Sequence, residues 1–303
     1  NEKLFSFVAR ATYAQLYPKF DLSFDSRFRR SGLFIEPDVE NADSLVVAVR
    51  SWNERAYVSN VTLPFNLSSG NFSRGFNVSM RYAHNQLRFE SNEVYRDRPN
   101  AQFNSLGGSI SFFNRQLRAT QDVATRFGQT LLMGYRQTLE EDAGQIFFLR
   151  GSLFFPGLAK THSFSVDYGY QKQEAFNEYK FSNQFITPRG YGGSIFTNDQ
   201  LFKVGFNYQL PIWYPDLAIG PLVFVKRLRA NLFFDYGTSE IAAQIPDPIR
   251  QVYRSVGVEL SGDFGFLRTF ELPMGIQLSY RINQPDFLTE RGESSFQVGF
   301  VLR

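Results

Sequence analysis

Apolar and polar residues alternate along most of this chain. From Phe202 to Ile212 every second residue is apolar, and the residues between them are polar, glycine or proline. The segment from Leu228 to Tyr236 repeats the pattern, with Arg229, Asn231 and Asp235 on the second parity. Because successive side chains of a strand point to opposite faces, each segment predicts a β-strand with one apolar and one polar face.

The same alternation recurs through the whole chain and predicts thirteen strands. They are expected at residues 5–13, 20–24, 55–66, 73–88, 102–117, 127–137, 144–155, 161–172, 200–212, 224–237, 251–265, 270–283 and 294–303. Residues 31–54 are predicted to form a polar connection, in which the apolar piece Leu45–Val49 could extend a hairpin. No segment has a helical period and none resembles a linker, so the sequence predicts one all-β domain over residues 1–303.

Short and long connections alternate between these strands. The short set lies at 17–18, 67–71, 156–160 and 265–269, with 119–126 and 213–223 as looser members; the long set lies at 31–54, 89–101, 173–199, 238–250 and 284–293. This order is typical of a transmembrane antiparallel up-and-down β-barrel with short periplasmic turns and long external loops. Such barrels in bacteria have even strand numbers, so we expect one or three further strands and 16 strands when complete.

Composition agrees with a barrel in the outer membrane of a Gram-negative bacterium. The 303 residues include 34 Phe and 15 Tyr, yet the mean hydropathy is only −0.27. No run approaches the roughly 18 consecutive apolar residues of a membrane-spanning helix. There is no cysteine, and a net charge of +3 does not indicate nucleic acid. The chain starts at Asn1 without a signal peptide, which we interpret as a processed or excised chain.

Two short motifs stand out in the second half of the chain. Arg189-Gly190-Tyr191 lies in the longest connection, residues 173–199, and Phe233-Phe234-Asp235-Tyr236-Gly237 ends the second of the last five strands. Asp235 shares the inward parity of Arg229 and Asn231. A carboxylate inside a barrel favours a cationic partner, and an arginine offers a two-pronged donor.

Together, these motifs resemble the outer-membrane insertase and transporter superfamily. It includes BamA, TamA and two-partner-secretion transporters such as FhaC, and is also called the bacterial surface antigen family. The resemblance is firm over about 185–303 and includes the segment Pro273–Tyr280. It implies an external loop folded into the lumen, with Arg189, Gly190 and Tyr191 as the lumen-plug motif. Phe233, Asp235 and Gly237 would be its partner motif on the strand.

Further residues follow from parity and from the resemblance. Glu259 shares the inward parity of its strand and is a second candidate partner for Arg189. Phe296, Val298, Phe300 and Leu302 alternate along the last strand, which the resemblance makes one side of a lateral seam. Two positions depart from the family: Asn207 stands where an acidic residue is common, and the chain ends at Arg303 rather than at an aromatic residue.

The resemblance implies insertion of proteins into the outer membrane, or polypeptide transport across it, without a catalytic residue. Expected partners are outer-membrane lipid, nascent outer-membrane or secreted polypeptide, and periplasmic or outer-membrane accessory proteins. Periplasmic domains usual in the family are not in this chain. The alternative is a passive pore or a structural subunit of a larger complex. No metal or cofactor is expected, because His84 and His162 are isolated and the acidic segment 36–43 lacks calcium-loop spacing.

Overall fold

The computed structural model describes most of the chain. The described residues are 6–15, 17–37, 45–89, 101–118, 122–140, 144–174, 179–184, 187–191, 199–220, 222–241, 249–266, 270–283 and 295–302. For residues 30–37, 45–51, 89, 219, 241, 249 and 302 this description covers the backbone alone. No described helix is long and apolar enough to cross a membrane.

Within the described residues, fourteen strands form one antiparallel sheet. Their bounds are β1 Phe7–Tyr13, β2 Lys19–Pro37, β3 Leu45–Asn66, β4 Phe72–Phe89, β5 Ala101–Gln116, β6 Gly128–Thr138, β7 Gln145–Pro156, β8 Ser163–Glu174, β9 Gln200–Trp213, β10 Leu217–Ile219, β11 Val223–Ile241, β12 Ile249–Phe266, β13 Phe270–Arg281 and β14 Phe296–Leu302. Each strand pairs with the next in the chain, except that β9 pairs with β11 and the short β10 lies off this path on β11.

The path of thirteen consecutive strands confirms the predicted up-and-down order. The alternation did not reveal β10, which has only three residues. The prediction of a polar connection over 31–54 is wrong, but the expected extension of a hairpin by Leu45–Val49 is confirmed. There β2 continues to Pro37 and β3 starts at Leu45, with Phe34 paired to Ala48. Cross-strand hydrogen bonds satisfy the backbone of this hairpin, so it extends despite its polar composition.

The two faces of the sheet are inverted relative to a soluble protein. Large apolar side chains are exposed on the outer face, including Met80 at 60%, Leu232 at 50% and Phe300 at 87%. Polar side chains are buried on the inner face, among them Asn207 at 4% and Ser255 at 0%. An apolar outside and a polar inside are what a lipid-embedded barrel requires.

The sheet has two edges within the described residues, and the inner face has two apolar clusters. The path begins at β1 and ends at β14, and these two strands are not paired with each other there. One cluster contains Trp52, Leu87, Phe103, Ile146, Phe148, Tyr179 and Phe181, and the other contains Tyr191, Leu201 and Tyr253. Tyr179, Phe181 and Tyr191 belong to the connection between β8 and β9, so this external loop folds inward.

Candidate functional site

Arg189 of the inward loop forms an ion pair with Asp235 of β11. Its Nε lies 2.8 Å from Asp235 Oδ2 and one terminal nitrogen lies 2.6 Å from Oδ1, so the guanidinium donates to both carboxylate oxygens. The backbone N–H of Arg189 donates to Oδ2 as well, at 2.8 Å. Asp235 is fully buried, and the Arg189 side chain is 16% exposed. A charge-assisted, two-pronged contact of this kind is among the strongest that proteins form.

The second motif shapes the surface on which the loop rests. The ring of Phe233 lies under the Arg189 guanidinium, 3.7 Å from ring centroid to guanidinium carbon, which is cation–π geometry. Gly237 leaves space for Pro188, because a Cβ at residue 237 would lie 2.7 Å from Pro188 Cγ. Gly205 of β9, which pairs with Asp235, likewise leaves space for the Asp235 carboxylate, since a Cβ at residue 205 would lie 2.6 Å from Asp235 Oδ1.

Lys203 is a second cation at this carboxylate, and the sequence reasoning missed it. Its Nζ lies 3.5 Å from Asp235 Oδ2 and donates to the carbonyl of Thr187 at 3.2 Å. The available signal was its inward parity, two residues before Gly205 on the strand that pairs with the Asp235 segment. Asp235 therefore balances two positive charges, one from the loop and one from the wall.

Gly190 and Tyr191 continue the contact toward β12 and β13. Gly190 has φ of +88°, which favours glycine, and a Cβ there would lie 3.3 Å from Ser279 Oγ. The hydroxyl of Tyr191 lies within hydrogen-bond distance of two backbone carbonyls, 2.8 Å from that of Arg254 and 2.5 Å from that of Asn283. Burial raises the pKa of the Tyr191 phenol above its usual value. The three motif residues thus contact β11, β12 and β13.

A second attachment of the same loop lies at the other end of the sheet. Arg29 of β2 donates to Glu54 of β3 at 2.9 Å, to the hydroxyl of Tyr179 at 3.0 Å and to the carbonyl of Lys180 at 2.9 Å. Tyr179 donates in turn to Glu54 at 3.0 Å. Burial raises the pKa of Tyr179 to about 12, so this phenol remains a donor at neutral pH. No sequence motif marked this triad.

Aromatic packing surrounds the second attachment. The Tyr179 ring lies 4.6 Å from that of Phe103 and 5.8 Å from that of Trp52, between ring centroids. Phe181 packs edge-on against Tyr179 at 5.3 Å. Because Trp52 and Tyr179 lose nearly all their exposure, this part of the loop is held by apolar burial as well as by hydrogen bonds.

The two attachments lie near opposite edges of the sheet. Tyr179 and Lys180 contact the second and third strands from the β1 edge, and Arg189 to Tyr191 contact strands β11 to β13 near the β14 edge. The loop therefore links the two ends of the sheet from inside.

A further ionic cluster lies at the end of the sheet where β5 connects to β6. Arg227 donates to Asp263 across the β11–β12 pair, and Arg229 lies 3.3 Å from the same carboxylate. Both arginines also donate to the backbone of this connection, at Asp122 and Val123. Val123 is fully buried as a result, so this short connection also folds inward.

Glu259 and Asn207 lie on the same inner wall. Glu259 is 2% exposed and lines a cavity of about 880 Å³ that Arg189, Lys203 and Asn207 also line. Asn207, at the position where the family often has an acid, donates to Asp167 at 2.8 Å. Glu259 as a second partner of Arg189 stays a prediction.

The last strand presents its apolar side chains outward. Phe296, Val298 and Phe300 are 68%, 69% and 87% exposed, and β14 pairs with β13 on one side. Leu302 lies on the same strand, with its backbone paired to Met274. The seam role of these four residues stays a prediction.

Candidate metal and catalytic groups are sparse in the described part of the chain. It contains no group of three His, Cys, Asp or Glu side chains that could hold a metal ion. His162 lies 2.8 Å from the hydroxyl of Tyr208, and His84 lies 3.0 Å from the side-chain oxygen of Asn104. Residues 38–44, which include most of the acidic segment, lie outside the described residues.

Comparison with known proteins places the fold. No protein-family model matches the chain, and no curated protein matches it in sequence. Among solved structures, BamA from Haemophilus ducreyi lacking POTRA domains 1–3 matches with a TM-score of 0.54 and 12% identity, over 99% of this chain and 69% of that chain. CdiB from Acinetobacter baumannii matches with a TM-score of 0.55 and 13% identity, over 97% of this chain and 49% of that one.

At such low identity these likenesses concern the fold. The chain spans about half the length of CdiB, and its matches extend over nearly all of its own residues. The inward loop, the strand order and the inverted faces agree with this result. The chain therefore has the fold of the BamA and CdiB barrels.

Proposed function

We propose that this chain is the barrel of an outer-membrane protein that inserts other proteins into the membrane or moves polypeptide across it. The observation that carries the proposal is the inward loop, fastened to the wall through Arg189 and Asp235. A passive pore has no need of a lumen closed by so many buried polar contacts. The fold likeness to BamA and CdiB supports the same function.

The outward apolar surface supports a location in the outer membrane. Leu232, Ile276 and Val298 are about half exposed or more, and each lies on a strand whose opposite face is polar. A surface of this kind is stable against lipid and unfavourable in water.

The mechanism needs no catalytic residue. Both edge strands, β1 and β14, present backbone donors and acceptors, and an incoming extended segment can pair with such an edge by β-augmentation. Because the loop ties the two ends of the sheet together, its attachments would control how far the edges separate. The partners would be an unfolded outer-membrane or secreted polypeptide and accessory proteins that deliver it.

Conductance tests the plug. Arg189→Ala removes both side-chain hydrogen bonds to Asp235, so we expect a higher single-channel conductance in planar bilayers than for the wild type. Arg250→Ala is the matched control, because Arg250 is 68% exposed and pairs with Glu240 on the outer face. A wild type that is already wide open, with an unchanged Arg189→Ala variant, would contradict the plug.

Depletion in cells separates the two candidate functions. Loss of an insertase should lower the levels of many outer-membrane barrels together, and loss of a transporter should abolish export of one or a few polypeptides. A structural subunit or passive pore would instead change permeability while barrel levels and export stay constant. Quantitative proteomics of the outer membrane and of the medium provides both readouts.

A further inference from the structure

Two arginines face each other across a glycine on the inner wall. In the sheet register, Arg81 of β4 pairs with Gly107 of β5, and Gly107 pairs with Arg136 of β6. Neighbouring strands lie about 4.8 Å apart, so the two arginine Cα atoms are separated by roughly 10 Å. Gly107 has no side chain, so the Arg136 side chain packs over it: a Cβ at residue 107 would lie 3.2 Å from Arg136 Cγ.

Both arginines line a cavity of about 380 Å³. Asn60 of β3 pairs with Arg81 and therefore lies in the same cross-strand row as Arg81, Gly107 and Arg136. Ser79 of β4 pairs with Ser109 of β5 in the neighbouring row, and these side chains also line the cavity. These side chains add amide and hydroxyl donors to the two guanidinium groups. The side chains of Asn60 and Ser79 also hydrogen-bond with Thr62, so the two guanidinium groups are the principal donors available to a ligand.

Nearby carboxylates balance the positive charge of this pair only in part and at longer range: Glu54 attracts both arginines, and Asp25 attracts Arg81. Among the described residues, neither Arg81 nor Arg136 has a hydrogen bond or an ion pair with an acidic side chain, and the Nε of Arg81 is buried without a hydrogen-bond partner. The two guanidinium groups are close enough to repel each other, and Arg27 adds to the repulsion.

The acids near the pair have cationic partners of their own; Asp25, which attracts Arg81, lies 3.4 Å from Arg27. Asp21 lines the same cavity, but its carboxylate lies 3.1 Å from Arg10 and accepts a hydrogen bond from Thr12 at 2.5 Å. Glu54 attracts Arg136 at longer range, and its hydrogen bonds go to Arg29 and Tyr179. An anion from solution would complete the neutralisation of the pair.

We propose that this cavity binds a phosphate ion, held by Arg81 and Arg136 on the two sides of Gly107. A phosphate has enough oxygens to accept two hydrogen bonds from each guanidinium, whereas one carboxylate has only two oxygens. The cavity lies on the inner face, which is in contact with water, so the ligand is a soluble ion rather than a lipid headgroup.

The site also contacts the inward loop. The Arg136 guanidinium lies 5.4 Å from the ring centroid of Phe181, next to Tyr179 of the second attachment. A bound phosphate would fix Arg136 and thereby stabilise the position of this ring. The binding of phosphate does not depend on whether the barrel handles polypeptides.

Thermal unfolding of the whole chain in neutral detergent tests the site. Inorganic phosphate is titrated at constant ionic strength, with chloride as the replaced ion. We expect a saturable rise of several degrees in the unfolding temperature of the wild type, because a ligand that binds only the folded state stabilises it. The rise should vanish in the double variant Arg81→Gln/Arg136→Gln and persist in Arg115→Gln, a luminal arginine of the larger cavity.

Two further variants make the test independent of folding. In phosphate-free buffer the double glutamine variant should be at least as stable as the wild type, because it removes the repulsion between the two charges. Arg81→Lys/Arg136→Lys keeps both charges without the fork geometry, so its phosphate affinity should fall at least tenfold. An equal response of wild type and double glutamine variant to phosphate, or a chloride response as large as the phosphate response, would overturn the proposal.

Discussion

The single carboxylate of Asp235 faces two cations, and this excess of positive charge determines which substitutions destabilise the site most. Arg189 supplies three hydrogen bonds to it, two from the side chain and one from the backbone, and Lys203 lies 3.5 Å away. Because Asp235 is fully buried, water cannot easily take the place of a charged partner that is removed. Removal of the acid leaves two cations facing each other, whereas removal of Arg189 leaves Asp235 with Lys203.

Asp235→Asn should therefore destabilise the barrel more than Arg189→Gln. Breaking a buried ion pair from one side costs roughly 3–5 kcal/mol, and we expect Asp235→Asn in this range. Arg189→Gln should cost about 1–3 kcal/mol, because Lys203 still neutralises the carboxylate. Urea unfolding in lipid vesicles measures both values. If Arg189→Gln is the more damaging variant, Lys203 does not share the carboxylate as described.

At the scale of the element, the connection between β8 and β9 behaves as a strap with two attachments. One is polar and ionic, at Arg189 on β11; the other combines a buried triad with aromatic packing, at Tyr179 on β2 and β3. Two independent attachments hold the strap more firmly than one, because release of either leaves the other in place. We expect loss of both to be needed for full release.

Tyr179→Phe tests the second attachment alone. The variant keeps the aromatic packing and removes the hydroxyl that bonds Arg29 and Glu54, which should cost about 1–3 kcal/mol. Tyr57→Phe is the matched control, since Tyr57 is 49% exposed on the outer face, and its change should stay within about 0.5 kcal/mol.

Limited proteolysis of residues 175–186 supplies the readout for the strap itself. Tyr179→Phe combined with Arg189→Ala should be cleaved faster than either single variant. Equal cleavage of the wild type and the combined variant would show that neither attachment holds the loop.

At the scale of the whole molecule, the two faces of the sheet determine the solvent on each side. The outer face exposes large apolar residues, and the inner face buries polar ones around the cavity of about 880 Å³. The strand path places these faces consistently from β2 to β14, because a period-two pattern keeps one parity on one side. Adjacent residues of one strand should therefore respond in opposite ways to the same substitution.

Ile276→Lys and Gln277→Lys on β13 form such a pair. Ile276 is 49% exposed on the outer face, whereas Gln277 lines the inner cavity. A lysine on the lipid face near the middle of a strand costs about 2–4 kcal/mol, so Ile276→Lys should fold poorly into vesicles. Gln277→Lys should fold with a change below about 1 kcal/mol. Equal effects of the two variants would show that the outer face is not in lipid.

Much of this architecture could be predicted from the sequence. The alternation at Phe202–Ile212 and Leu228–Tyr236 located strands β9 and β11 and assigned Asp235 to the inner face, because the direction of a strand side chain depends only on its parity. The apolar piece Leu45–Val49 indicated a longer hairpin, but the full extension of β2 and β3 could not be read, since backbone pairing between strands can outweigh polar composition.

The sequence by itself determined the strands, their two faces and the residues that could meet in the lumen. Only the tertiary structure decided which of them do meet. Arg29 and Tyr179 are 150 residues apart in the chain, and Lys203 reaches Asp235 through the pairing of β9 with β11. The physical reason is that parity is a local property of the backbone, whereas a contact between a loop and the wall depends on the path of the whole chain around the barrel.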